Sequence, residues 1–466
     1  MAEQSSRGRW VVLAVASVAN CLTLLDLWVV NIAYPALRRD FSPATLSDVS
    51  WVLNIYTIVL AAFLVPAGRL ADNRGRRHCF FLGLILFGTA SVGCAMSPVL
   101  PVLIASRALQ AVGAAVLMPT SLSLAVSAFD DRRRGTAVGV WAAVAAVAAS
   151  FGPVLGGLLI TIGWRWIFLI NIPLVAATVM VGLRYLPPDG ERRTRRLDPV
   201  GALLVLAATG LGCTALVQVR AWPAGTTWTA LGVAGSLIPV LVVHLRRHVD
   251  PILAPGLLTA ARFRAGATGI LTYYIGFAAI LLGSTLLLTD VWHYSSLETA
   301  LAIAPGPLVS SVIAPFAGRI MARFGFSVVV GSGAAVFALA GLWPLLTVGD
   351  APAYGTTVLP SLVLWGVANG LIQPGLFSTA SAAPTADLSS ASAVLTASRQ
   401  LGSAVGVAVL VAVLTTGGTL DVAGVRRGWL IVTASAVATV LVGLWKRDPE
   451  TGVATAVVVD GGRAAR

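Results

Sequence analysis

Long apolar stretches, separated by short clusters of charged residues, proline and glycine, follow one another along nearly the whole chain. A helix needs about 20 predominantly apolar residues to cross the hydrocarbon layer of a membrane. Fourteen stretches meet this requirement, and they are continuous rather than alternating, which excludes a transmembrane β-barrel. We expect the spans at residues 10–34, 49–67, 79–96, 100–127, 136–161, 166–183, 200–219, 229–245, 265–289, 297–318, 327–348, 354–380, 390–415 and 429–445.

Composition supports the same interpretation. The 466-residue chain has 57% hydrophobic and 11% charged residues, whereas an ordinary soluble domain has roughly 25% charged residues. A soluble protein and a disordered protein are therefore excluded. The net charge is +13, which normally raises nucleic acid as a partner. Here the basic residues lie in short clusters between apolar stretches, so we expect contact with membrane lipids and not with nucleic acid.

The distribution of basic residues orients the spans. With the N-terminus inside, 24 of the 32 basic residues fall in cytoplasmic loops, as the positive-inside rule requires. We therefore expect a monomeric, multi-pass protein of the bacterial cytoplasmic membrane with both termini in the cytoplasm. The expected domains are a six-helix bundle (1–186), two inserted helices with basic linkers (187–262), a second six-helix bundle (263–446) and a cytoplasmic tail (447–466).

An internal repeat supports the two bundles. The segment that begins at Gly68 resembles the one at Gly318, and the segment at Gly152 resembles the one at Gly402. Both pairs are 250 positions apart. Repeated halves with a site at their interface are the general plan of secondary transporters.

Asp26 is the only one of 19 acidic residues that lies deep inside a predicted span. A central charge costs about 2.5–3.5 kcal/mol on insertion scales, so such residues usually face a cavity and have a function. Burial disfavours the charged carboxylate, which suits Asp26 to bind and release a proton. The alternative is a carboxylate held permanently by a polar neighbour such as Asn20 or Asn31.

Two arginines also lie within spans. Arg107 is the natural electrostatic counterpart of Asp26 and could promote proton transfer, or it could be a structural residue satisfied by backbone carbonyls. Arg399 is a candidate cavity residue, although it lies closer to the end of its span and could instead snorkel or cap a helix.

A tight basic loop between the second and third spans suits a cytoplasmic latch that breaks and reforms as the halves move. Its acidic residue can pair with helix N-termini or with arginines, although a plain topogenic loop would look similar. The candidate latch residues are Gly68, Asp72, Arg76 and Arg77.

Glycines and a proline in the fifth span allow close helix approach and a kink. Packing alone would need the same residues. These conformational candidates are Gly152, Pro153, Gly156 and Gly157.

Aromatic, amide and charged residues within spans are candidates for a substrate cavity, although most aromatics in membrane proteins serve as packing residues or interface anchors. The candidates are Trp28, Asn31, Tyr34, Tyr56, Gln110, Tyr273, Tyr274, Phe277, Trp365, Asn369, Gln373 and Arg399.

The sequence contains no Ser-His-acid set and no phosphate-binding glycine loop. The four cysteines are scattered without paired spacing, which argues against disulfides and zinc. We therefore expect no catalytic residues, no metal site and no ATP binding.

Five segments resemble motifs of the major facilitator superfamily, and within it of the fourteen-span drug:proton antiporter family. Residues 68–77 are similar to the superfamily signature between spans two and three, and 107–113 to the fourth-span motif linked to proton transfer. Residues 152–157 resemble the antiporter motif of span five. Residues 25–35 and 164–173 resemble two motifs specific to the fourteen-span group.

This resemblance implies an all-α polytopic membrane protein with the major facilitator fold: two six-helix bundles plus two inserted helices, giving 14 transmembrane helices. It implies a proton-coupled exporter of drugs, antibiotics or other amphipathic small molecules that works by rocking-bundle alternating access. The energy source would be the proton gradient, with no cofactor. An exporter of a native lipid or secondary metabolite is the alternative, and a membrane-embedded enzyme or a channel is less favoured.

The chain departs from the family pattern near the expected proton site. Trp28 stands where the family usually has Thr, Tyr34 where it has Leu, and Ala111 where it has Gly. Asp26 also lacks the additional membrane-embedded acids of exporters of cationic antiseptics. We therefore hypothesise neutral, zwitterionic or anionic amphipathic substrates rather than dications.

Overall fold

The computed structural model describes residues 6–41, 46–189, 198–219, 222–253, 255–349, 351–383, 387–415 and 422–444, and regular structure in these ranges is entirely helical. The helices are α1 (Ser6–Ile32), α2 (Tyr34–Asp40), α3 (Leu46–Arg74), α4 (Arg76–Ala95), α5 (Leu100–Ser127), α6 (Asp131–Ile162), α7 (Trp166–Leu169), α8 (Asn171–Tyr185), α9 (Pro199–Val217), α10 (Ala224–Arg247), α11 (Pro255–Thr259), α12 (Ala261–Leu286), α13 (Ser296–Ile303), α14 (Pro305–Phe324), α15 (Phe326–Thr347), α16 (Val358–Phe377), α17 (Leu388–Thr415) and α18 (Val422–Leu444). A π-helical turn (Leu287–Val291) extends α12, and a 3₁₀ turn (Ser378–Ala382) extends α16.

Most of the predicted spans are long helices. Among the described residues, twelve helical segments are long and apolar enough to cross a membrane. Two further long helices, α6 with 32 residues and α16 with 20, are not among these twelve. In α16 the amides of Asn369 and Gln373 reduce the apolar character. Two predicted spans are interrupted, one between α7 and α8 at Ile170 and one between α13 and α14 at Ala304.

The helices form two bundles. In the first, α4 packs on α5, α1 on α6, and α3 on α5. In the second, α12 packs on α17, α14 on α16, and α15 on α18. Apolar side chains such as Leu158 (63% exposed) and Leu441 (62% exposed) point away from both bundles, as expected where lipid is the solvent.

The helices α9 and α10 pack against each other at the side of the molecule. α9 also contacts α3 of the first bundle and α17 of the second. α10 leaves Trp228 and Ile238 largely exposed. The inserted pair therefore adds a lateral layer and does not interrupt the packing of the two bundles.

The sequence repeat has a structural counterpart. Gly156 of α6 lies against Val29 of α1, and a Cβ there would meet the Val29 backbone at 3.3 Å. In the second bundle, Gly402 and Gly406 of α17 lie directly against the backbone of α12. The fifth long helix of each bundle thus uses its glycines to approach the first long helix of the same bundle.

Candidate functional site

Asp26 lies in a buried polar cluster of the first bundle. Its Oδ2 accepts a hydrogen bond from Nη1 of Arg107 at 2.5 Å, and both side chains are fully buried. Its Oδ1 accepts from Nε2 of Gln110 at 2.9 Å and from Nδ2 of Asn171 at 3.3 Å. The three partners come from α5 and α8, and all of them donate to the carboxylate. The cluster therefore balances one negative charge with one positive charge inside the bundle.

Of the two alternative partners predicted for Asp26, Asn20 has a different hydrogen-bond acceptor in the structure. Asn20 instead donates its Nδ2 to the backbone carbonyl of Trp141 at 3.4 Å. The side chain of Asn31 lies outside the described residues.

Arg107 contacts both Asp26 and a backbone carbonyl. Besides the ion pair with Asp26, its Nε donates to the carbonyl of Val52 at 3.1 Å and its Nη1 to Oε1 of Gln110 at 2.6 Å. Its guanidinium lies 4.2 Å from the centre of the Tyr56 ring, a cation–π distance. Its Nη2 has no hydrogen-bond partner among the described residues, so one donor of this group is available for a different arrangement.

Sequence reasoning did not select Asn171 or Ser91, which also belong to this cluster. Asn171 and Gln110 both donate to Oγ of Ser91, at 3.3 and 2.8 Å. Asn171 is the first residue of α8, directly after the helix interruption at Ile170. A polar amide at a helix interruption inside a span is the sequence signal that could have identified it.

Residues from both bundles line a cavity with a volume of about 200 Å³. Seven predicted cavity residues lie in its wall: Tyr56, Tyr274, Phe277, Trp365, Asn369, Gln373 and Arg399. Sequence analysis did not select other wall residues, including Met118, Gln400 and Ser403.

Five predicted cavity residues are not placed in this wall. Gln110 belongs to the Asp26 cluster. Tyr273 is fully buried behind the wall, where its hydroxyl donates to Oδ1 of Asn369 at 2.7 Å. Consecutive residues of a helix point about 100° apart, so Tyr273 and its neighbour Tyr274 cannot face the same side. The side chains of the other three lie outside the described residues; these are Trp28, Asn31 and Tyr34.

Arg399 neither snorkels nor caps a helix. It lies 11 positions into α17, about 16 Å from the start of that helix at 1.5 Å per residue. It is only 5% exposed and lines the cavity. This position inside α17 and its burial favour the predicted cavity role over a role at the end of the span.

The predicted latch loop joins the two bundles at one end of the molecule. Asp72, at the end of α3, accepts hydrogen bonds from the backbone N–H groups of Ser389 and Ser390 at 3.1 and 2.8 Å. It also accepts from the Ser390 hydroxyl at 2.9 Å and pairs with Arg76 at 3.3 Å. Ser389 and Ser390 form the first turn of α17, so Asp72 places a negative charge at the positive end of a helix in the other bundle.

Close backbone contact accompanies this charge contact. A Cβ on Gly68 would lie 2.6 Å from Cβ of Ala393, so α3 touches α17 where only glycine fits. Nearby, Arg69 pairs with Asp387 at 3.3 Å, and both side chains are almost fully buried. We call this set of contacts between the ends of α3 and α17 the latch.

Arg77 does not take part in the latch. Its backbone N–H donates to Asp189 at 2.8 Å, and its Nη2 donates to the carbonyl of Leu183 at 3.0 Å. Leu183 lies in α8 and Asp189 just after it, so Arg77 ties the start of α4, after the turn at Gly75 where φ is +104°, to the end of α8.

A second contact between the bundles joins α6 and α14. Gly318 lies directly against the backbone of Gly135, and Gly139 against the carbonyl of Ala314. Gly318 is the repeat counterpart of Gly68, but the counterpart of Asp72 is Ala322. The two contacts are therefore related by the repeat, but only the contact between α3 and α17 has an acidic residue at this repeat position.

Two of the predicted glycines of span five, Gly156 and Gly157, do not contact described residues of the second bundle. Gly156 packs within the first bundle, and Gly157 has no atom within 4 Å of an added Cβ. Gly152 is buried, and the side chain of Pro153 lies outside the described residues. α6 is one continuous helix from Asp131 to Ile162.

One group in the described chain has the side chains of a metal site. Asp198, His244 and His248 have ligand atoms within 4.8 Å of one another. The Asp198 carboxylate, however, accepts the backbone N–H of Gly201 at 2.8 Å and of Ile252 at 3.0 Å, and lies 2.8 Å from Nε2 of His244. These contacts account for the carboxylate as a helix cap that ties α9 to α10.

Hydrogen bonding also determines the charge of this cap. Burial raises the pKa of Asp198, but the hydrogen bonds from Gly201, His244 and Ile252 outweigh burial, so its pKa lies below the ordinary value.

Two helical bundles, a cavity between them and a buried ion pair next to its wall define a membrane transporter rather than an enzyme. A family model described as the Major Facilitator Superfamily matches residues 16–407, and the chain belongs to this superfamily. Multidrug resistance protein Stp of Mycobacterium tuberculosis is 30% identical over 414 residues, which cover 88% of this chain and 76% of that protein. Puromycin resistance protein pur8 of Streptomyces alboniger is 34% identical over 463 residues, which cover 93% and 89%.

The fold agrees with solved structures. The human organic anion transporter MFSD10 is similar with a TM-score of 0.68 at 16% identity, covering 94% of this chain and 99% of that one. The predicted superfamily and its fold are thus confirmed, and relatives of the chain are named as drug and antibiotic resistance proteins. The fourteen-span subfamily and the coupling to protons stay predictions.

Proposed function

We propose that the chain is a proton-coupled exporter of amphipathic small molecules that works by alternating access between its two bundles. One observation carries this proposal. Tyr56 has one face on the Arg107 guanidinium at 4.2 Å and also forms part of the cavity wall. A single side chain therefore connects the buried ion pair with the space where a substrate would bind.

The contacts of the ion pair suggest how binding of a proton is transmitted. A proton on Asp26 removes the negative charge that Arg107 faces, and the guanidinium then needs another acceptor. Movement of Arg107 displaces the Tyr56 ring that rests on it, and with it the cavity wall. Proton and substrate thus favour different arrangements of the same residues, and such linkage acts in both directions.

From the latch we infer that a second conformation, in which these contacts are broken, alternates with the present one. It closes one end of the interface between α3 and α17, while the cavity wall extends toward the opposite end at Ala300 and Ala304. We assign the latch end to the cytoplasm, because the basic loops lie there. The cavity is then accessible from outside, and opening the latch would admit substrate from the cytoplasm or inner leaflet.

We place the protein in the bacterial cytoplasmic membrane with fourteen spans, α6 and α16 included, and with both termini in the cytoplasm. Each proton that enters the cell contributes about 2.3 kcal/mol per 100 mV of membrane potential. That free energy is sufficient to drive export without ATP or a cofactor.

Proton movement in proteoliposomes tests the proposal. Purified protein is reconstituted with an internal pH-sensitive dye, and a panel of amphipathic compounds is added to wild type and Asp26→Asn. We expect compound-dependent proton flux in the wild type and none in the variant. Asp40→Asn is the matched control, because Asp40 forms an exposed ion pair with Arg165, and it should behave as wild type. Flux that survives in Asp26→Asn would refute Asp26 as the coupling residue.

A further inference from the structure

Arg399 is a buried cation without a carboxylate partner in the described part of the chain. Its Nη2 lies 3.6 Å from Sδ of Met118, and its guanidinium lies 5.9 Å from the centre of the Tyr274 ring. A thioether sulfur is only a weak acceptor. The Tyr274 hydroxyl interacts with Arg399 and with Gln373, but it supplies no charge.

The other arginines buried at the interface or in the first bundle are paired. Arg107 has Asp26, Arg69 has Asp387, and the partly buried Arg76 has Asp72. A buried charge without a partner is costly. The cost at Arg399 is relieved when a negative group of a bound molecule takes the place of the missing carboxylate.

The other described residues of the cavity wall add no negative charge. None of them is Asp or Glu, so Arg399 is the single charge among the described wall residues. Apolar surface comes from residues such as Leu60, Phe277 and Trp365, and hydrogen-bonding amides from Asn369 and Gln400. An apolar cavity with one fixed cation and a few amides is complementary to an amphipathic molecule that carries one negative group.

We propose that the cavity selects amphipathic organic anions and that Arg399 pairs with their carboxylate, sulfonate or phenolate group. This inference rests on the proposed function, since it takes the cavity as the substrate site. It narrows the expected neutral, zwitterionic and anionic substrates to the anionic class. Export of such an anion against an entering proton moves two charges in the same electrical sense, so an inside-negative potential accelerates it more than export of a neutral compound.

A pair of probes with one skeleton isolates the charge. 8-Anilinonaphthalene-1-sulfonate is an amphipathic anion, and N-phenyl-1-naphthylamine is the same skeleton without the sulfonate. Binding of each to the full chain in nanodiscs is measured by fluorescence titration, with the signal of empty nanodiscs subtracted. The variants are Arg399→Gln, Arg399→Lys and the control Arg184→Gln, which alters an exposed arginine of α8.

We expect Arg399→Gln to weaken binding of the sulfonate about tenfold or more, the size of a lost charge-assisted hydrogen bond, and to change binding of the uncharged probe less than threefold. Arg399→Lys should retain a preference for the sulfonate, and Arg184→Gln should match wild type. Equal weakening of both probes by Arg399→Gln, or no weakening of the sulfonate, overturns the proposal.

Thermal unfolding separates a specific effect from misfolding. Removal of an unpaired buried charge relieves its cost, so Arg399→Gln should unfold at the temperature of the wild type or above it. The binding result also stands apart from the proposed function. Charge-selective binding without proton flux would refute the exporter and leave the anion site, whereas proton-coupled flux without charge selectivity would do the reverse.

Discussion

The ion pair between Asp26 and Arg107 makes a quantitative prediction about stability. Both side chains are 0% exposed, and removal of one partner of a buried ion pair costs about 3–5 kcal/mol. Asp26→Asn should lie near the lower limit, at about 3 kcal/mol. The reason is that Arg107 keeps the carbonyl of Val52 and Oε1 of Gln110, at 3.1 and 2.6 Å.

The double variant Asp26→Asn/Arg107→Gln should recover most of this loss, because two neutral amides replace the pair and leave no uncompensated charge. The free energy of unfolding is measured by denaturant titration in mixed micelles, followed by circular dichroism, for the wild type, both single variants and the double variant. A double-mutant cycle then gives the coupling energy, for which we expect about 2–3 kcal/mol.

Equal stability of Asp26→Asn and wild type, or a coupling energy near zero, would refute a charged pair at this site. The double variant also separates folding from function. It should fold but fail to couple compounds to proton flux, since neither a titrating group nor its counter-ion is left.

Three further predictions concern the latch, the second contact and the cap of α9. Asp72→Asn should weaken the interaction between residue 72 and the first turn of α17 by about 1–2 kcal/mol. A cysteine introduced between the bundles should then be labelled faster from the cytoplasmic side. Unchanged labelling would exclude the latch. Gly318→Val should prevent α6 from packing on α14 and abolish transport. The control Gly331→Val should leave transport unchanged, because nothing lies within 4 Å of a Cβ added at Gly331. Equal activity of the two variants would contradict a functional contact between α6 and α14. The pKa of Asp198 is lowered on folding, so its charged form stabilises the protein above the unfolded pKa, and this contribution disappears as pH falls through the folded value. Asp198→Asn should therefore lower the unfolding temperature at pH 7 and lower it progressively less as pH falls below about 3.9, the ordinary value for Asp. A loss that does not change over this pH range would be the contrary result.

The sequence alone determined the membrane helices, the repeated halves and the residues that bear the charge. Long apolar stretches can only be helices in a membrane, because lipid offers no partner for backbone groups. A charged side chain within a span is also costly, so Asp26 and Arg107 stand out in the sequence. The loop with Asp72 was identified by its charge and its glycines.

Only the tertiary structure decided which side chains meet. A membrane helix is apolar toward lipid and apolar toward its neighbours, so its pattern does not reveal the inner face. The sequence therefore could not show that Tyr274 lies in the cavity wall and Tyr273 behind it. Nor could it show that Asn171 contacts Asp26. The contact of Gly135 with Gly318 is likewise a property of two helices from different halves. Burial of Arg399 beside the cavity depends on what packs around α17, and this follows from the assembled bundles.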